Sequence, residues 1–259
     1  MLGLFDSGLG GLTVLRRVRD ELPDADLVFF ADQAHVPYGD RSAEDLERLL
    51  RHNLAWFDAR GVDAVVMACN TSCAIGQTRG WPESRARVFD LIEAAAIAVQ
   101  RAGFLHIGVV ATAATARSGA YGRAIRARVP GAMVTEIAAP ELVPLVEAGK
   151  TGTGEARDAV ARACAQLPRA LDAAILACTH YPLLDADFAR ALGAGVERLD
   201  PAVEQAARVA RFAHERRMTG ETGRTSYVTS GDAARFRDQL LRLGVSALEL
   251  GDMEHVEEK

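Results

Sequence analysis

Lysine is almost absent from this chain: of thirty basic residues only Lys150 and Lys259 are lysines. A pyridoxal phosphate enzyme needs a lysine amine for its Schiff base. Lys259 is the last residue, and Lys150 stands in Gly149-Lys150-Thr151-Gly152, a composition that makes surface loops. Pyridoxal chemistry is therefore disfavoured, and no cofactor is expected. Cysteine is scarce too. Four in 259 residues are too few for a disulfide scaffold and fit a cytoplasmic protein with reduced thiols. No apolar run approaches the roughly 20 residues that cross a bilayer, which argues against a membrane protein. The first residues lack the charged and then apolar pattern of a signal peptide. Positive charge is scattered and the net charge is −5, so a nucleic-acid surface is not expected either.

What is present is an ordinary globular composition, 49% hydrophobic and 25% charged. Short apolar runs at Leu2–Phe5, Leu27–Phe30, Ala64–Ala68, Ile107–Val110 and Ala173–Ala177 read as buried strands. Amphipathic stretches such as Thr13–Glu21, Ala43–Arg60 and Glu155–Gln166 read as helices between them. That alternation predicts an α/β fold with largely parallel sheets.

The chain also repeats itself. Asp63-Ala-Val-Val-Met-Ala-Cys69 matches Asp172-Ala-Ala-Ile-Leu-Ala-Cys178, and Gly3-Leu-Phe-Asp6-Ser7-Gly8 has a counterpart in Gly108-Val-Val-Ala111-Thr112. The two matches stand at nearly the same offset, which predicts two similar halves. Each repeated cysteine follows a strand and precedes polar residues, Cys69-Asn70-Thr71 and Cys178-Thr179-His180. Ligands of open α/β sheets sit beyond such strand ends, and a thiol near a helix N-terminus ionises more readily. An isolated cysteine is usually a small buried hydrophobe; matched placement favours function here. Cys73 and Cys164 lack that placement and read as packing residues. No zinc-like spacing of Cys and His occurs. Two thiols facing each other suit a proton transfer in which one face of a carbon is deprotonated and the other reprotonated.

Asp6-Ser7-Gly8-Leu9-Gly10-Gly11-Leu12-Thr13 is a glycine-rich turn after the first strand. It could hold an anion, either phosphate or an amino-acid carboxylate, at the next helix N-terminus. It could equally be a structural turn. His35-Val-Pro-Tyr38-Gly39-Asp40 reads as a loop with polar reach, and Glu147 and His180 are candidates for orienting a thiol.

Together these motifs resemble the glutamate racemase family, within the aspartate/glutamate racemase superfamily. The matching stretches are Gly3–Val14, Val36-Pro-Tyr-Gly39, Ala68-Cys-Asn-Thr71, Ser118-Gly-Ala-Tyr121, Pro144-Leu-Val-Glu147, Cys178-Thr-His-Tyr-Pro-Leu183 and Thr229-Ser-Gly-Asp232. The resemblance implies two flavodoxin-like domains related by pseudo-twofold symmetry, with the active site between them. The first would be discontinuous, residues 1–95 plus 208–259, and the second 96–207. It implies an isomerase in which Cys69 abstracts the proton from D-glutamate and Cys178 from L-glutamate. Asp6 would support the first thiol, with Glu147 and His180 near the second. Asp6, Ser7, Tyr38, Gly39, Asn70, Thr71, Thr179 and His180 would line the substrate site. A homodimer and a supply of D-glutamate for peptidoglycan are also implied.

Three stretches depart from the family pattern: Asp32-Gln33-Ala34-His35, Cys73, and Val88-Phe-Asp-Leu-Ile-Glu93. They leave substrate choice open, with aspartate or another amino acid as the alternative. The chain starts almost directly on its first strand, so activation by a peptidoglycan precursor is not expected. A hydrolase built on Cys178 and His180 is disfavoured, because residues two apart need not face each other and no third orienting group is evident. A small-anion or nucleotide-binding module would leave the paired cysteines unexplained.

Overall fold

The computed structural model describes residues 1–218, 222–250 and 253–256, with the side chains of Leu248 and Glu249 left aside. Lys259 lies outside the described residues. Ten strands form two sheets: β1 Leu2–Asp6, β2 Leu27–Ala31, β3 Ala64–Met67, β4 Arg87–Asp90, β5 His106–Ala111, β6 Met133–Ala138, β7 Ala173–Ala177, β8 Glu197–Leu199, β9 Thr225–Thr229 and β10 Glu254–His255. The first sheet runs β10-β9-β2-β1-β3-β4 and the second β6-β5-β7-β8. Every pairing is parallel. Strands buried on both faces explain the continuous apolar runs: β1, β2, β3 and β7 are buried throughout.

The repeat is real at the level of topology. The order β2-β1-β3-β4 recurs as β6-β5-β7-β8, so β3 and β7 occupy equivalent places. At the end of each fourth strand, as the last residue of β4 and the first after β8, an aspartate caps the next helix. Asp90 accepts from Ile92 and Glu93 N–H ahead of the helix Leu91–Ala102, and Asp200 accepts from Ala202 N–H ahead of Pro201–Glu215. These two helices pack on one another. They carry Ile92, Ala95, Val99, Ala202, Ala206 and Val209 into a core shared with both sheets. The expected breaks at 95/96 and 207/208 fall inside these same two helices. A second core, around Leu142, Val160, Leu176 and Phe188, fills the other face of the smaller sheet.

Two polar contacts tie the halves together near the strand ends. Gln205 Nε2, from the helix after β8, donates to the carbonyls of Met67 at 3.1 Å and Phe89 at 2.9 Å. Thr13 Oγ1 donates to Thr179 O at 3.1 Å. No described helix is long and apolar enough to cross a membrane.

Candidate active site

The C-terminal ends of β1, β3, β5 and β7 converge on one cavity of about 290 Å³. That volume lies near the lower end of small-molecule sites, about 300–1,000 Å³. All eleven residues singled out from the sequence line it: Asp6, Ser7, Tyr38, Gly39, Cys69, Asn70, Thr71, Glu147, Cys178, Thr179 and His180. Cys69 N-caps the helix Asn70–Arg79, and Cys178 follows directly on β7. Both are buried, at 4% and 6% exposure.

Different partners surround the two sulfurs. Cys69 Sγ lies 3.6 Å from Ser7 Oγ as donor. Burial, and then the carboxylate of Asp6, push its pKa up to about 11, while Ser72 and Ser7 pull it back. Cys178 Sγ stands 3.8 Å from His180 Nδ1. His180 Nε2 in turn is 3.4 Å from Glu147 Oε1. That separation is close enough for an ion pair, but the alignment is not that of a hydrogen bond, since Nε2 pairs with no described atom in that way. Burial alone would lower the pKa of His180. Cys178 and Glu147 overcome it, and Asp6 adds to them, so the imidazole rises to about 10 and is a cation at neutral pH. Glu147 is held below the usual carboxylate range chiefly by His180, against the cost of burial.

The spacing argument against contact between Cys178 and His180 therefore fails. After β7 the backbone does not extend. His180 has φ −80° and ψ −27° and opens the short 3-10 turn Tyr181–Leu184, which folds its ring back beside the sulfur. Glu147, at the end of the helix Leu142–Glu147 and a sequence candidate for orienting a thiol, supplies the third group behind His180.

The glycine-rich turn puts Asp6, Ser7 and Gly8 on the cavity wall and also binds itself. Gly11 N–H donates to Asp6 Oδ2 at 2.6 Å, so the carboxylate seated near the N-terminus of the helix Leu12–Glu21 is the chain's own. Burial raises the pKa of Asp6, and the charge of His180 and the amides of Gly11, Ser7 and Gly8 pull it back. Gly10 is a point of close approach between halves. A Cβ there would lie 2.2 Å from Thr179 Oγ1 and 2.7 Å from His180 Nδ1.

Donors gather on the remaining walls. Tyr121 OH donates to Asn70 Oδ1 at 2.5 Å, which leaves both Nδ2–H donors of Asn70 available to an anion. Thr71 Oγ1 meets Thr112 Oγ1 at 3.1 Å across the halves, and Thr112 Oγ1 donates to Thr115 Oγ1 at 3.0 Å. Thr112 lines the cavity but was not among the sequence candidates. The repeat held the signal for it, because Thr112 follows β5 as Ser7 follows β1. Tyr38 OH donates to the buried Asp32, which also accepts from Ser230 Oγ at 2.6 Å and contacts His35 Nδ1 at 2.8 Å.

The departures from the family pattern are accounted for locally. His35 pairs with Asp32, and Gln33 Nε2 donates to Gln239 at 3.0 Å. Cys73 is buried with Sγ toward Met67 O at 3.5 Å, and Cys164 packs in the second core. Lys150 pairs with Glu155 at 2.8 Å on the surface, away from the cavity lining. Among the described residues no cluster of three or more His, Cys, Asp or Glu could hold a metal.

Comparisons with known proteins agree with one another. The profile of the Asp/Glu/Hydantoin racemase family matches residues 13–209. A glutamate racemase of Gloeobacter violaceus is 44% identical over 91% of this chain and 89% of its own length. One from Desulforudis audaxviator is 40% identical over 91% and 90%. The crystal structure of glutamate racemase from Thermus thermophilus in complex with beta-chloro-D-alanine superposes with a TM-score of 0.86 at 33% identity, covering 99% of this chain and 96% of that one. The Francisella tularensis enzyme in complex with D-glutamate gives 0.88 at 26% identity, covering 99% and 97%. The chain thus belongs to the Asp/Glu/Hydantoin racemase family, grouping within it with the glutamate racemases.

Proposed function

We propose that this racemase interconverts L- and D-glutamate without a cofactor, Cys69 and Cys178 serving as the paired acid and base. The observation that carries this reading is one cysteine at the equivalent strand end of each sheet, both lining one cavity. Donors on Ser7, Asn70, Thr71 and Thr179 suit the carboxylates of an acidic amino acid, and fixed dipoles there would stabilise charge developing at the α-carbon. The cationic His180 stands beside Cys178, and burial beside Asp6 favours a thiol at Cys69. In this reading Cys178 takes the proton from L-glutamate and Cys69 returns one. Asp6, Glu147 and His180 support the two thiols. Tyr38 and Gly39 complete the substrate wall.

In the same reading the product serves peptidoglycan in the cytoplasm, the working form is a homodimer, and the domains divide as 1–95 plus 208–259 and 96–207. Incubation with L-glutamate in heavy water tests the central claim. Deuterium should enter the α-position while optical rotation decays to zero, with no pyridoxal phosphate added. Folded protein that incorporates no deuterium overturns it. Faster exchange into aspartate than glutamate would transfer the reading to that substrate.

A further inference from the structure

One buried hydroxyl close to the chemistry has no structural task. Ser72 is 1% exposed, in the first turn of the helix that Cys69 caps, three residues after the cysteine. Among the described residues, no protein atom forms an aligned hydrogen bond with its Oγ. Most Ser or Thr hydroxyls at such positions bond back to a carbonyl, as Thr78 Oγ1 does to Ala74 O at 2.7 Å in the same helix. A buried hydroxyl without a partner disfavours the folded state. Ser72 is the N3 residue, whose backbone N–H ordinarily serves a cap oxygen, and its hydroxyl shares that first turn with the cap residue. Here the cap atom is sulfur. As a thiol, Cys69 spends its proton on Ser7 Oγ. Once ionised, it becomes an acceptor that needs donors, and Ser7 Oγ beside it is one of them.

We propose that Ser72 is a positioning residue for the reaction, its hydroxyl donating to Cys69 Sγ when that sulfur is the thiolate base. The proposal rests on Cys69 acting as a base. Three other titratable groups stand around this sulfur: the carboxylate of Asp6 from the end of β1, which opposes its ionisation, and Tyr38 from the loop after β2 and Cys73 one turn along the helix, whose own ionisation it opposes. Against them, the hydroxyl and the backbone N–H of Ser72 are the foremost favourable contributions. Ser72 does not line the cavity, so it acts on substrate only through Cys69.

The test is iodoacetamide alkylation against pH, with peptide mapping to resolve Cys69 from Cys178, on the full-length protein and on Ser72→Ala. The midpoint for Cys69 should rise by about one pH unit, the midpoint for Cys178 should stay, and turnover of D-glutamate should fall about tenfold. Ser72→Thr, which keeps the hydroxyl, should restore the reactivity of Cys69. Ser72→Ala should also melt no lower than the parent, because it deletes an unpartnered buried group. An unshifted Cys69 midpoint, or a lower melting temperature, overturns the role of Ser72. Cys69→Ala that still racemises glutamate overturns the base assignment beneath it, and is read separately.

Discussion

The two halves share a strand order and a cysteine at the same strand end, yet they surround that cysteine differently. In the first half the thiol is enclosed by a carboxylate and hydroxyls, and its pKa rises to about 11. In the second a cationic imidazole, backed by Glu147, stands beside the sulfur. Topology thus fixes where each sulfur sits, while the residues that follow decide what surrounds it. Asn70 enters a regular helix at once, whereas His180 turns back on its own strand. Under the proposed two-thiol reading, the two sulfurs would therefore stand in unequal surroundings before substrate arrives.

Removing either sulfur is the most severe way to break the comparison. Cys69→Ala and Cys178→Ala should each lower racemisation by on the order of 10²–10⁴-fold, the range of a single acid or base. Their residual chemistry should differ. Cys69→Ala should still exchange the α-proton of L-glutamate, and Cys178→Ala that of D-glutamate, as mass spectrometry in heavy water would read. Identical residual behaviour would mean that the halves are not specialised.

Next in size, His180→Asn should cost about 10²-fold in kcat/KM. It should slow alkylation of Cys178 near neutrality but leave Cys69 unchanged, erasing the inequality between the thiols. The same residue gives a sign for pH dependence. Its pKa in the fold, about 10, lies above its ordinary 6.5. Its contribution to stability is therefore complete below pH 6.5 and is lost as the pH rises through 10. Urea midpoints should fall over that interval in the parent, and less in His180→Asn.

Gly10→Ala sharpens the comparison at the joint itself. The added methyl meets Thr179 and His180 inside contact distance. It should cost about 1–3 kcal/mol in denaturant unfolding, the range of an overpacked site. Gly8→Ala is the control, because a Cβ there meets only Val36 Cγ1, at 3.7 Å. Smallest of all, Lys150→Met should shift stability by less than about 1 kcal/mol, as expected for an exposed pair with Glu155, and should leave turnover intact.

Strands buried on both faces were legible in sequence almost to the residue. Ala173–Ala177 was read with its observed bounds, and Leu2–Phe5 and Leu27–Phe30 each fell one residue short. The sheet margins were not. β6 is a largely half-exposed edge strand with Glu136 in its middle, and β8 has three residues including Glu197 and Arg198. Neither offers the apolar run that marks a buried strand. The cavity wall was legible because its residues cluster in motifs that follow strands. Contacts between halves were not. Neither the approach of Gly10 to Thr179 nor the bond from Gln205 to Met67 leaves a local pattern, and both depend on how two separately folded sheets meet. Thr112 fell between these cases: the repeat already aligned it with Ser7, but that match was not carried over to the site.

Gly10 presents bare backbone to the opposite half, where any side chain would collide. Contacts made through side chains can adapt by rotation, but a backbone contact has no such adjustment. Clearance between the two thiol-bearing sheets is therefore gauged at this spot by peptide geometry. If the two sulfurs serve one carbon as proposed, such a gauge would hold the reach of each against the other.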